Sequence, residues 1–198
     1  MLRRLLSEEP ARAALDFPEG FAGGIAHRLD ISTSGALLVA DSPKELLHIR
    51  EAFASGTLEK TYLLWARRKA PWTSHQCSVP LAHDRRRKSR MTPKRGQNTP
   101  HRGKWLEAET HFEHLEGRLY RARMRTGVMH QIRVHAAFVG IPLEGDSMYG
   151  GGQPPEARPT GVPFLLHHMG LEGPGVRTEP VALPTWAAGI RMTDGRPT

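Results

Sequence analysis

His27-Arg28-Leu29-Asp30-Ile31-Ser32-Thr33-Ser34-Gly35, running into Ala36-Leu37-Leu38-Val39-Ala40, is the stretch on which the reading of this chain turns. A charged cluster leads into a turn of small hydroxyl residues and then an apolar run of strand type. That order puts Asp30 near the core yet beside a bend, where loops commonly present functional groups. By spacing alone the segment suits an aspartate whose side chain closes a turn better than a catalytic one.

On the C-terminal side, Ser42, Pro43 and Glu45 form a capping box with proline at the first helical position, so a helix is expected from Pro43 to about Ser55, stopped by Gly56. On the N-terminal side, MLRRLLSEEPARAAL reads as a short helix with Ser7 as cap and Glu8 and Glu9 in its first turn, ended by the turn cluster Pro18 to Gly24. Leu58 to Ala66 is strand-like. Leu106 to Leu115 and Leu119 to Arg125 are two more such runs, joined by Glu116 and Gly117 as a hairpin. Met129 to Val139 has helical character, with Gly140 and Pro142 as stop signals, and a Gly- and Pro-rich segment, Gly145 to Pro163, precedes an apolar patch at Phe164 to Leu166. Between Leu81 and Lys104 the apolar content drops. Arg85, Arg86, Arg87, Lys88, Arg90, Lys94, Arg95, Arg102 and Lys104 fall there, so an exposed basic loop or insertion is expected over 81–104.

The 198 residues carry 28 Lys plus Arg against 20 Asp plus Glu, a formal net charge of +8 that favours a polyanionic partner, nucleic acid first, over a neutral metabolite. A single cysteine, Cys77, excludes an intrachain disulfide framework and a paired-cysteine zinc site, and fits a reducing compartment. No stretch approaches the ~20 apolar residues of a membrane span. Without internal repeats or a sharp composition shift, residues 1–198 are expected to form one cytoplasmic domain, with no obligate protein partner evident.

A second polar cluster lies downstream: Arg125, Thr126, Gly127, then His130, Gln131, Ile132, Arg133 and His135. On a helix His130 and Arg133 share a face, while Ile132, Ala136 and Val139 can pack on the other. A solvated basic face is the plain alternative.

Together the clusters resemble the RluA-like family of RNA pseudouridine synthases, from about Ala26 to Trp186. The signature HRLDxxTSG is complete as His27 to Gly35, KTYL is Lys60 to Leu63, and HQIRVH is His130 to His135. Gly145, Asp146, Tyr149 and Gly150 match a GDxxYG loop, and Leu165, Leu166 and His167 match LLH. The pattern departs at Val128, where the family places an arginine, and before residue 26, where its KPxG-like turn is missing and 1–25 is atypical.

The resemblance implies an α+β fold with a mixed, mainly antiparallel sheet, packed helices and a central cleft. It also implies isomerisation of uridine to pseudouridine in a structured RNA, ribosomal or transfer, without a cofactor or metal. Asp30 falls on the family's catalytic aspartate, a nucleophile that splits a hard step into easier ones. Arg133 matches the basic residue that pairs with it; a guanidinium stays charged when buried and binds a carboxylate with two parallel hydrogen bonds. Tyr62 matches the tyrosine that lies against the target base, and Arg28 the arginine that fills the space left by a flipped uridine. Arg85, Arg86, Arg87 and Lys88 would meet RNA phosphates. Two rivals are weighed against this reading: a non-catalytic RNA-binding protein on the same fold, and a metal-dependent hydrolase suggested only by 11 histidines.

Overall fold

The computed structural model describes residue 17, residues 22–156, 162–178 and 181–187, and the backbone at 192–193 and 196–197. The helix expected over the opening residues, with Ser7 as its cap, lies outside these.

In chain order the elements are β1 (Ser34–Gly35), α1 (Pro43–Ala54), β2 (Glu59–Trp65), β3 (Ser74–Cys77), β4 (Leu81–Asp84), β5 (Met91–Pro93), β6 (His101–Leu106), β7 (Thr110–Glu116), β8 (Leu119–Met124), α2 (Gln131–Phe138), β9 (Leu166–Gly173) and β10 (Val176–Arg177), with a terminal pair β11 (Met192–Thr193) and β12 (Arg196–Pro197). β2 is central to a seven-stranded sheet of order β1-β9-β2-β8-β7-β3, with β10 on β9. Only the short β1–β9 pairing in it is parallel, so the sheet is mainly antiparallel, as expected.

Apolar residues on both sides of β2 explain its central place: Leu63 and Leu64, on opposite faces, are fully buried. On the face of Tyr62 and Leu64, α2 packs Ile132 and Ala136 against Phe112, Tyr120 and Ala122. Beyond the Lys60 end of that face, α1 packs Leu46 and Ile49 against Leu58 and Leu171. Leu63 and Met169 instead meet Ala187, with Leu183 and Trp186 alongside. The end of α1 follows its sequence signals, with the Glu45 amide donating to Ser42 Oγ at 3.2 Å, while the Glu45 carboxylate accepts from the amide of Asp41 at 2.8 Å.

Three expectations need correction. The basic stretch 81–104 is not a loop but largely a three-stranded sheet of order β5-β4-β6. Its few apolar residues are spaced so that pairing gathers them: Leu81 and Met91 are buried with Ala108, Val134 of α2 and Tyr149. The exposed basic side chains of Arg85, Arg86, Arg87 and Lys88 sit at the turn between β4 and β5, whose amides at Arg86 and Arg87 donate to Asp84 Oδ1. The run Leu106 to Leu115 is likewise two strands: Leu106 ends β6 and β7 starts at Thr110. Ala36 to Ala40 is not a ladder strand either; after β1 it is tied back to residues 24–26 by an Ile25–Val39 bridge and two flanking amide bonds.

Among the described residues no helix is long and apolar enough to cross a membrane.

Candidate active site

Asp30 opens a turn in which its own carbonyl accepts the Thr33 amide at 2.9 Å. The main chain closes this turn, which leaves the carboxylate free for other work. Beyond the turn, the Gly35 backbone lies against β9 so closely that a Cβ there would sit 2.0 Å from the His168 carbonyl, and its φ of 112° is one that glycine adopts readily. The tight β1–β9 contact therefore fixes where the segment emerges. Asp30 is not sealed: its side chain is 27% exposed, the neighbouring Arg28 is exposed, and Ile31 is fully so.

Arg133 comes from α2. Rather than a solvated basic face, this helix is buried nearly all round, Gln131 to Ala136 included. The Nη1 of Arg133 lies 3.6 Å from Asp30 Oδ2, so the two clusters do meet. The two parallel hydrogen bonds expected toward Asp30 go elsewhere, however: Nε donates to Asp146 Oδ2 at 2.7 Å and Nη2 to Asp146 Oδ1 at 2.9 Å. The guanidinium also lies over the rings of Phe164, at 4.4 Å, and Tyr149, at 5.0 Å. Burial works against its charge, but the hydrogen bonds and charge of Asp146, then the charge of Asp30, outweigh that and hold its pKa above the ordinary value. Asp146 thus fixes the cation and leaves one of its nitrogens facing Asp30. The GDxxYG loop does not by itself give Asp146 this role; a carboxylate flanked by a glycine turn and an aromatic is the available signal.

Tyr62 is buried on β2, opposite His168 of β9 in the register, with the two rings 4.5 Å apart. One side of the tyrosine is therefore occupied. Burial and then the negative charge of Asp30 push its hydroxyl pKa upward, so Tyr62 stays a neutral phenol. His168 Nδ1 donates to the Ala36 carbonyl at 2.7 Å, and His27 Nε2 accepts the Leu38 amide at 3.1 Å. Burial brings both imidazoles down to about 4, with the charge of Lys60 contributing, so they are neutral packing groups at pH 7.

His130 precedes α2 in the left-handed region, at φ 55°, an uncommon conformation outside glycine. Its Nδ1 is 2.8 Å from the Tyr149 hydroxyl, which also accepts the Met91 amide at 2.9 Å. Tyr149 thereby ties the small basic sheet to the turn that starts α2. Sequence alone gives neither residue a role, because their contacts join segments far apart in the chain. Val128 packs beside the same Leu81–Met91 cluster. Among the described residues no group of three or more His, Cys, Asp or Glu is placed to hold a metal ion.

The arrangement offers a partly exposed carboxylate beside a fixed guanidinium, a buried phenol that feels the carboxylate's charge and an exposed arginine two residues before it in the chain. These groups can orient and attack an electron-poor carbon in a polyanionic substrate.

Residues 5–138 match the family model described as RNA pseudouridylate synthase. An uncharacterised RNA pseudouridine synthase of Zymomonas mobilis is 38% identical over 152 residues, covering 73% of this chain and 66% of that protein. The chloroplastic RNA pseudouridine synthase 2 of Arabidopsis thaliana is 33% identical over 132 residues, 65% of this chain but 31% of that protein. The chain thus spans under a third of the length of that relative. Among solved structures, human RNA pseudouridylate synthase domain containing 1 is similar with a TM-score of 0.66 and 25% identity, covering 81% of this chain and 68% of that one.

Proposed function

Given that this chain belongs to the RNA pseudouridylate synthase family, we propose that it isomerises uridine to pseudouridine within a structured RNA, ribosomal or transfer, with Asp30 as the nucleophile. The observation that carries the reading is the approach of Arg133, held by Asp146, to 3.6 Å from Asp30. A guanidinium keeps its charge when buried and can hold a facing carboxylate in place for attack.

The reaction breaks the bond between ribose C1′ and uracil N1, turns the freed base and rejoins it through C5, whose proton is released to solvent while N1 takes one up. No atom or electron is gained or lost overall, so no cofactor is required. Asp30 attacks the ribose anomeric carbon or the uracil ring and is expelled when the new bond is complete. The base must leave the RNA stack to reach Asp30, at a cost of a few kcal/mol. Arg28, exposed two residues before Asp30, suits the vacated space. Tyr62 backs the base and, as a neutral phenol, acts by hydrogen bonding. Arg85, Arg86, Arg87 and Lys88 supply attraction to phosphates that weakens steeply with salt. We place the protein in the cytoplasm with its RNA.

The test is tritium release from C5 of labelled uridine in RNA from cells lacking this gene. The native protein is expected to release tritium and Asp30→Ala to release none. Salt-sensitive RNA binding without release would favour the second reading, a non-catalytic RNA-binding protein, for which Val128 in the family's arginine position is the specific observation.

A further inference from the structure

Lys60 is only 7% exposed, and lysine is almost never buried to that degree without an ion-pair partner. Among the described residues no carboxylate lies within 4 Å of it. What faces it, element by element, is neutral: the Phe53 ring of α1 with its centroid 5.3 Å from Nζ, the imidazoles of His27 from the Asp30 segment and His168 from β9, and the phenol of Tyr62, next on its own strand face. From the turn leading to α2, Gly127 approaches so closely that a Cβ there would stand 3.2 Å from Nζ. The ammonium therefore lies between the two segments that carry Asp30 and Arg133, with no counter-charge within 4 Å among the described residues.

We propose that Lys60 is a phosphate-binding residue of the active site, whose ammonium receives a backbone phosphate of the RNA at or beside the target uridine. The inference rests on the reading of the chain as an RNA-modifying enzyme, since RNA phosphate is the anion that such a substrate brings to this face. Burial holds the Lys60 amine down to about 8, so the free protein is partly discharged in mildly alkaline solution, and an arriving phosphate restores the charge.

The experiment measures kcat and KM for tritium release, against pH and salt, for the native protein, Lys60→Met and Lys60→Arg. Methionine keeps the stem that packs on Phe53 and removes the charge; arginine keeps a charge that does not titrate. For the native protein KM is expected to rise about fourfold from pH 6.5 to 8.5, following discharge of a group with pKa about 8. Lys60→Arg should flatten that rise. Lys60→Met should raise KM about tenfold or more with kcat within about threefold, and make the salt dependence of log(kcat/KM) shallower by about 0.7 to 0.9, as for one lost phosphate contact. Unchanged KM, pH profile and salt slope in both variants would overturn the proposal, as would a fall in kcat alone, which marks a packing role. If Lys60→Met does not fold, the pH profile of Lys60→Arg decides by itself. Absence of tritium release from the native protein would remove the enzymatic reading and this inference with it, whereas release that is indifferent to Lys60 removes the inference only.

Discussion

Arg133 is committed to Asp146 before it serves Asp30, and that order has consequences for single substitutions. Both partners are almost fully buried, and removing Asp146 leaves the guanidinium only the 3.6 Å approach of Asp30; breaking a buried pair typically costs about 3 to 5 kcal/mol. Asp146→Ala is expected to lose stability of that size in urea unfolding and to lose tritium release, although Asp146 does not face the substrate. Asp30→Ala is the contrast: with its side chain 27% exposed, it should abolish release while leaving the unfolding midpoint close to native. Arg133→Lys should behave like the damaging variant, because an ammonium cannot make the two parallel hydrogen bonds that hold the guanidinium in place.

The small sheet β5-β4-β6 and α2 act together through one hydroxyl. Tyr149 accepts from the Met91 amide of β5 and bonds to His130 at the head of α2. Tyr149→Phe strands a buried amide and is expected to cost about 1 to 3 kcal/mol by urea unfolding. Because it also frees the strained His130 turn, the same variant should lower kcat for tritium release. At α1, Ser42→Ala removes a cap and should cost about 0.5 to 2 kcal/mol without touching activity, a control for stability loss alone.

Across the whole molecule, folding holds several histidines neutral in a chain of net charge +8. His27 and His168 are held near 4, and His135, fully buried between Thr110 and the Val79 carbonyl, is also lowered by burial. A histidine whose pKa is lowered by folding contributes stability fully above its unfolded value of about 6.5, and that contribution is lost as pH falls toward the folded value. The urea midpoint is therefore expected to hold from pH 8 to about 6.5 and to fall steadily toward pH 4. His168→Asn, which keeps a donor for the Ala36 carbonyl but has no proton to gain, should reduce the slope between pH 6.5 and 5, above the range where most carboxylates titrate.

How much of this was readable in advance follows from how local each cause is. The Ser42–Glu45 cap, the Gly56 and Gly140 stops and the Glu116–Gly117 turn act within a few residues, so α1, α2 and the β7–β8 hairpin were legible from the chain itself. The ordered motifs were enough to expect that Asp30 and Arg133 would meet. The sheet in 81–104 was missed because its apolar residues are sparse and become a core only when pairing and α2 bring Leu81, Met91 and Val134 together. Asp146 as the partner of Arg133, Tyr149 as a link between elements and the burial of Lys60 against Phe53 depend on contacts between distant segments. Such contacts are set by the packing of both helices on one sheet, so only the tertiary structure decided them.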